Sequence, residues 1–116
     1  MTYEEFDRLL DVMRKEEDEI GNTKAREYTR GDRLDNFKRL AQELGVSPKQ
    51  VLWIYLKKHL DSISNYIKID AKSGAAPVLS EPIEGRIKDA RVYLSLLRGL
   101  IAEEISDELT LRKEIV

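Results

Sequence analysis

One histidine, no cysteine and a scatter of carboxylates on otherwise apolar faces limit what chemistry this chain can do. His59 lies within the run "VLWIYLKKHLDSI", where Val51, Leu52, Tyr55, Leu56, Leu60, Ile63, Tyr66 and Ile67 recur at helical spacing. A shielded imidazole needs partners for its nitrogens. It can carry a proton, bind a metal or meet a phosphate, or it can sit in the core paired with a neighbouring side chain. Arg86 and Asp89 fall inside the apolar arc Ile83, Ile87, Ala90, Tyr93, Leu94, Leu96, Leu97, Leu100 and Ile101. Three residues apart on a helix, they share a face and can pair with each other. Otherwise Asp89 aims at a cation such as Mg²⁺ and Arg86 at a phosphate. A third group, Glu27, Asp32 and Asn36, is gathered in "KAREYTRGDRLDNF" beside Tyr28 and Phe37. Asp32 is also well placed to cap a helix. Thiol catalysis and zinc–thiolate sites are excluded, and one histidine leaves little room for a triad or a multi-histidine metal centre. The chemistry that remains is that of carboxylates, a hard cation and basic side chains, which suits phosphate esters.

The elements that must carry these residues are helices. Thr2 followed by Glu5 forms a capping box ahead of Phe6, Leu9, Leu10 and Met13. "KEEDEI" reads as the solvated end of that helix, and "IGN" at residues 20–22 as its stop. A second helix runs from about Arg33 to Leu44 and ends at Gly45. Ser47, Pro48 and Gln50 open a third, which continues to about Ile69. "DAKSGAAPVLS" is a loop, and Ser80 caps a fourth helix that runs to about Ile105. The tail "SDELTLRKEIV" is a further short helix or a frayed end. The reading is therefore all-α, a single domain over residues 1–116, built as a compact bundle of four main helices.

Composition narrows the partners. With 20 basic against 22 acidic residues and a net charge of −2, the chain lacks the concentrated positive field of a nucleic-acid binder. "SPKQVLWIYLKKH" resembles a recognition helix in outline, but most of its pattern is core. No apolar run approaches the roughly 20 residues that cross a bilayer, and "MTYEEFDRLL" is no signal peptide. A cytoplasmic protein is expected. Trp53 and Ile54 fall on the side of the third helix away from the main stripe, near Lys57 and Asp61, where they can meet another chain. There is no phosphate-binding glycine loop, no G-x-G-x-x-G, no H-E-x-x-H and no G-x-S-x-G.

Three segments, "KAREYTRGDRLDNFKRLAQELGVSPKQV", "YLKKHLDSI" and "EPIEGRIKDARVYLSLL", together resemble the nucleotide-modification-associated domain family common in bacteriophages. Its members carry a K-x-x-[ED]-Y element, an acidic residue before N-F, a lysine–histidine or lysine–lysine pair, and an aspartate shortly before N-Y-L. The resemblance spans roughly Lys24 to Leu97. It implies an all-helical fold related to the MazG-like nucleoside triphosphate pyrophosphohydrolases, whose helix-borne acids hold Mg²⁺ on a nucleotide's phosphates. By residue it reaches Lys24, Glu27, Tyr28, Asp32, Asn36, Phe37, Lys58, His59, Asp89 and Tyr93. Under it, Glu27, Asp32 and Asp89 are the metal ligands, with Glu27 and Asp89 catalytic. Lys58, His59 and Arg86 contact phosphate, while Lys24, Tyr28, Asn36 and Tyr93 complete the ligand site. The implied function is nucleotide binding with Mg²⁺, extending to hydrolysis of a nucleoside triphosphate to monophosphate and pyrophosphate, in a homo-oligomer. The alternative is a non-enzymatic phage accessory protein that binds a host protein or a nucleotide signal. The chain departs from the family pattern at Val92, where asparagine is usual. It also lacks the paired E-E-x-x-E and E-x-x-D motifs of true MazG enzymes, "EISD" at residues 104–107 matching only the second form.

Overall fold

Two reciprocal capping boxes start the helices that the sequence marks most clearly. The Thr2 backbone N–H donates to Glu5 Oε2 (2.7 Å) while the Glu5 N–H donates to Thr2 Oγ1 (3.1 Å). Ser47 and Gln50 repeat the exchange, at 2.8 Å to Gln50 Oε1 and 3.2 Å to Ser47 Oγ. Each box satisfies N–H groups that a helix leaves without an internal partner. The computed structural model describes residues 1–23, 31–73 and 81–115, with side-chain surroundings for 1–19, 31–69, 81–109 and 113. The described residues form four helices: α1 (Tyr3–Thr23), α2 (Asp35–Leu44), α3 (Pro48–Ser73) and α4 (Ile83–Ile115). The fold is all-α, as the sequence implies.

Four boundaries differ from the sequence reading, and the first is at α3, which runs past Ile69 into the expected loop and ends at Ser73. α1 runs through residues 20–22 instead of stopping there. α2 starts at Asp35, with Leu34 in the cap position and no side-chain cap. Asp32 instead folds the turn before it: Oδ1 accepts from the Leu34 N–H (2.9 Å), and its carbonyl accepts from the Asp35 N–H (3.0 Å). Packing explains the shift, because Leu34 is buried over Gly99 of α4 and cannot turn outward as a polar cap would. α4 continues unbroken to Ile115, so no separate C-terminal helix forms. Neither glycine nor proline interrupts residues 101–115, and nothing there favours a stop. Ser80, the expected cap of this helix, lies outside the described residues. Gly45 ends α2 at φ +70°, a left-handed geometry that a side chain would oppose, and the Val46 N–H closes on the Ala41 carbonyl (3.0 Å).

The core is contributed by three of the helices and the turn before α2. Leu34, Phe37 and Ala41 meet Val51, Leu52 and Leu56 of α3 and Ala90 and Leu100 of α4. The α3–α4 contact is the most extensive, followed by α2–α3. Two ion pairs tie the α2–α3 corner to adjacent positions of α4: Lys38 to Glu103 (2.8 Å) and Lys49 to Glu104 (3.1 Å). α1 rests on α4, where Arg91 reaches Glu17 (Nε to Oε1, 2.5 Å) and Met13 (Nη1 to Sδ, 3.3 Å). The molecule measures 60 × 36 × 29 Å. No described helix is long and apolar enough to cross a membrane.

Ser47 caps the helix that supplies the centre of this core. Ser47→Ala is expected to lower stability by about 1 kcal/mol, read as a shifted urea midpoint with an unchanged slope.

Candidate functional site

Where α2, α3 and α4 converge, three rings pack around Tyr93. Phe37 meets Tyr55 and Tyr93 edge-on, with centroids 6.3 Å away in each case. Tyr55 lies nearly parallel to Tyr93 (6.1 Å, 9°), and the imidazole of His59 stacks on Tyr93 at 5.4 Å. Helical spacing sets this up. Tyr55 and His59 are one turn apart on α3, as are Asp89 and Tyr93 on α4, so two adjacent rungs of one helix face two of the other.

Polar groups surround the rings. His59 Nδ1 is 3.8 Å from Asp89 Oδ2, an ion-pair distance too long for a hydrogen bond. Arg86 Nε is 3.7 Å from Glu81 Oε2. The Arg86–Asp89 pair that the sequence allowed is thus replaced by two others, because α3 presents an imidazole to Asp89. Arg33, just before α2, is close enough for its charge to act on the Tyr93 phenol. Burial pushes the Tyr93 hydroxyl up in pKa, and the negative charge of Asp89 pushes it further. Burial lowers the pKa of Arg33. Among the described residues four polar atoms are shut off from solvent without a hydrogen-bond partner: Glu17 Oε1, which faces Arg91 under α1, and, on α2, α3 and α4, Asn36 Oδ1, His59 Nδ1 and Arg86 Nε. A folded protein rarely leaves such atoms unpaired, since each costs about 1–3 kcal/mol when dehydrated without a bond. Flat aromatic surface, the nearby charge of Arg33 and unmet hydrogen-bonding capacity are complementary to a ligand with a planar ring and an anionic group.

The structure thus brings His59, Asp89 and Tyr93 into direct contact, with Arg86 one turn before Asp89 on α4 and Asn36 next to Phe37 on α2. Lys58 is exposed, turned about 100° from its neighbour His59. Lys24, Glu27 and Tyr28 lie outside the described residues. Asp32 is engaged elsewhere: Oδ1 takes the Leu34 N–H and Oδ2 takes Lys38 Nζ at 2.7 Å. It does not join His59 and Asp89, and the described residues contain no group of three His, Cys, Asp or Glu placed to hold a metal. Asp89 remains as the carboxylate at the site, which fits Mg²⁺ brought in on a ligand's phosphates better than a resident ion held by protein alone. Arg33 and Tyr55 were not singled out from the sequence. Their signal was there, since Tyr55 stands four residues before His59 and Arg33 three before Asn36. No family model, curated protein or solved structure matches the chain.

The Asp32–Lys38 contact gives a pH signature. The hydrogen bond from Lys38 holds the Asp32 carboxyl below its ordinary 3.8, with the Leu34 N–H adding to the effect. Because the unfolded carboxylate takes up its proton first, the pair's stabilisation is complete above that value. It is lost as pH falls through the lower folded value. A Lys38→Met protein is expected to be less stable than wild type above 3.8 and to approach it well below, in denaturation series across that range. Both side chains are partly exposed, so the effect is small.

Proposed function

We propose that this chain is a nucleotide-binding protein whose site is the aromatic and cationic cluster around Tyr93. The dehydrated His59 Nδ1, which lacks a hydrogen bond on an imidazole stacked against Tyr93, carries this reading; Asn36 Oδ1, on the residue before Phe37, and Arg86 Nε, one turn before Asp89, also lack one. The rings offer surface to a base, and Tyr55 is open enough for one to reach it. Arg33, Arg86 and His59 supply positive charge or donors for phosphate. Asp89 would hold Mg²⁺ together with the ligand's phosphate oxygens. The ion's contribution there is to draw charge from those oxygens. Resemblance to the phage nucleotide-modification-associated family supports the same ligand class. It extends the proposal to hydrolysis of a nucleoside triphosphate to monophosphate and pyrophosphate, in the cytoplasm of the host cell.

A thermal-shift series of nucleotides, with and without Mg²⁺, tests this, with the same samples assayed for released phosphate and pyrophosphate. The expected result is stabilisation by one class of nucleotide, larger with Mg²⁺. Release of pyrophosphate would establish the enzyme. A flat series across all nucleotides would overturn the proposal.

A second reading is favoured by the half-exposed Trp53 (52%) and Ile54 (57%). In it the protein is a non-enzymatic accessory that docks a partner through this face and uses the nucleotide as a signal. Stabilisation without turnover would separate it from the first.

A further inference from the structure

Away from Tyr93, a groove of about 250 Å³ runs between α1 and the first turns of α4. Its floor is Leu9, Val12, Met13 and Ile87, and its charged lining is Glu16, Glu17 and Glu84 against one lysine, Lys88. Small-molecule sites usually start near 300 Å³. This one has the scale of a slot for one or two large side chains, and its walls are apolar, with carboxylates at the edge.

Charge selects what can enter. α1 carries eight acidic residues against three basic ones, an excess of five negative charges, while the whole chain is only −2. The remainder is therefore positive by three. Two copies meeting groove to groove would set one acidic helix against another, which disfavours a symmetric contact through this surface. A basic apolar face is the better match, and the chain has one. Trp53 and Ile54 project from α3 on the side opposite the buried Val51, Leu52 and Leu56. One turn on, the exposed Lys57 and Lys58 stand beside them; Lys57 pairs with the exposed Asp61 of the next turn, so the face keeps an excess of one positive charge, at Lys58. Tryptophan with neighbouring lysine stems is a large apolar anchor, edged here by that single excess positive charge.

We propose that the groove of one copy receives the Trp53–Ile54 face of a second, a head-to-tail contact between unlike surfaces. Such a contact leaves an unused groove at one end and an unused tryptophan face at the other, so it extends to a ring or an open chain of copies.

Light scattering on the full-length protein across a concentration series tests this, with single and mixed variants. The wild type is expected to exceed the 13.4 kDa of one chain as concentration rises. It should fall back toward that mass near 1 M salt, where the screening length is about 3 Å. Trp53→Ala and Val12→Asp should each stay monomeric. Both positions are about half exposed, and circular dichroism will confirm the fold. Mixed in equal amounts, the two variants retain one intact groove and one intact tryptophan face between them, and should form a dimer that grows no further. A monomeric wild type at every concentration overturns the proposal. So does a salt-insensitive assembly, an assembly that survives either substitution, or a mixture that stays monomeric, the result expected if Trp53 meets its own counterpart.

Discussion

Leu52→Ala is expected to remove about 2–5 kcal/mol of stability, toward the upper end of that range. Leu52 has no exposed surface and sits between α2 and α4 in a core to which eight of the described residues contribute buried side chains. Truncation removes apolar contact and leaves a cavity that three rigid helices can close only in part. Domains of this size hold roughly 5–15 kcal/mol in total, so this one change puts the fold at risk at physiological temperature. Leu94→Ala is the control. It lies on α4 but is half exposed and should shift stability by about 0.5 kcal/mol or less. Urea unfolding followed by circular dichroism measures both. Equal effects at the two positions would mean that the core is not centred on α3.

Arg86→Met is expected to weaken nucleotide binding by roughly 10- to 100-fold, the equivalent of losing a hydrogen bond to a charged group. Arg86 Nε is dehydrated and lacks a hydrogen bond, its 3.7 Å ion-pair contact with Glu81 being too long to supply one. If a phosphate satisfies it, the substitution removes that bond. Without ligand, Arg86→Met relieves an unmet donor and should leave the melting temperature unchanged or slightly raised. Opposite signs for stability and affinity would separate a binding role from a structural one. Asp89→Asn should abolish the Mg²⁺-dependent part of binding and spare the rest. Titration calorimetry with and without Mg²⁺ measures both variants. Wild-type affinity in Arg86→Met would remove the phosphate assignment.

Local chemistry was legible in the sequence, and distant register was not. Thr2–Glu5, Ser47–Gln50 and Gly45 were readable because each device is complete within four residues. The apolar periodicity marked the inward faces of α2, α3 and α4 for the same reason. Asp32 misled because two local roles compete for one carboxylate, and the burial of Leu34 against a residue 65 positions away decided between them. His59 with Asp89, and Arg33 with Tyr93, depend on how three helices cross and at what height. Spacing along any one of them cannot report this. His59, Asp89 and Tyr93 were identified individually, but their partnership emerges only from packing.

Among the described residues, none of the eight that are buried belongs to α1, which rests on α4 near Met13 and Glu17. The described core therefore lies in a three-helix body, and α1 is an acidic outrigger held to it through Arg91. Detaching α1 exposes a modest strip of apolar surface and leaves the rings around Tyr93 in place. Opening of this kind requires far less free energy than global unfolding. A population with α1 released would still present the Tyr93 site while losing one wall of the groove beside Ile87. Ligand binding and self-association would then answer to different parts of one chain, and each could be adjusted without the other.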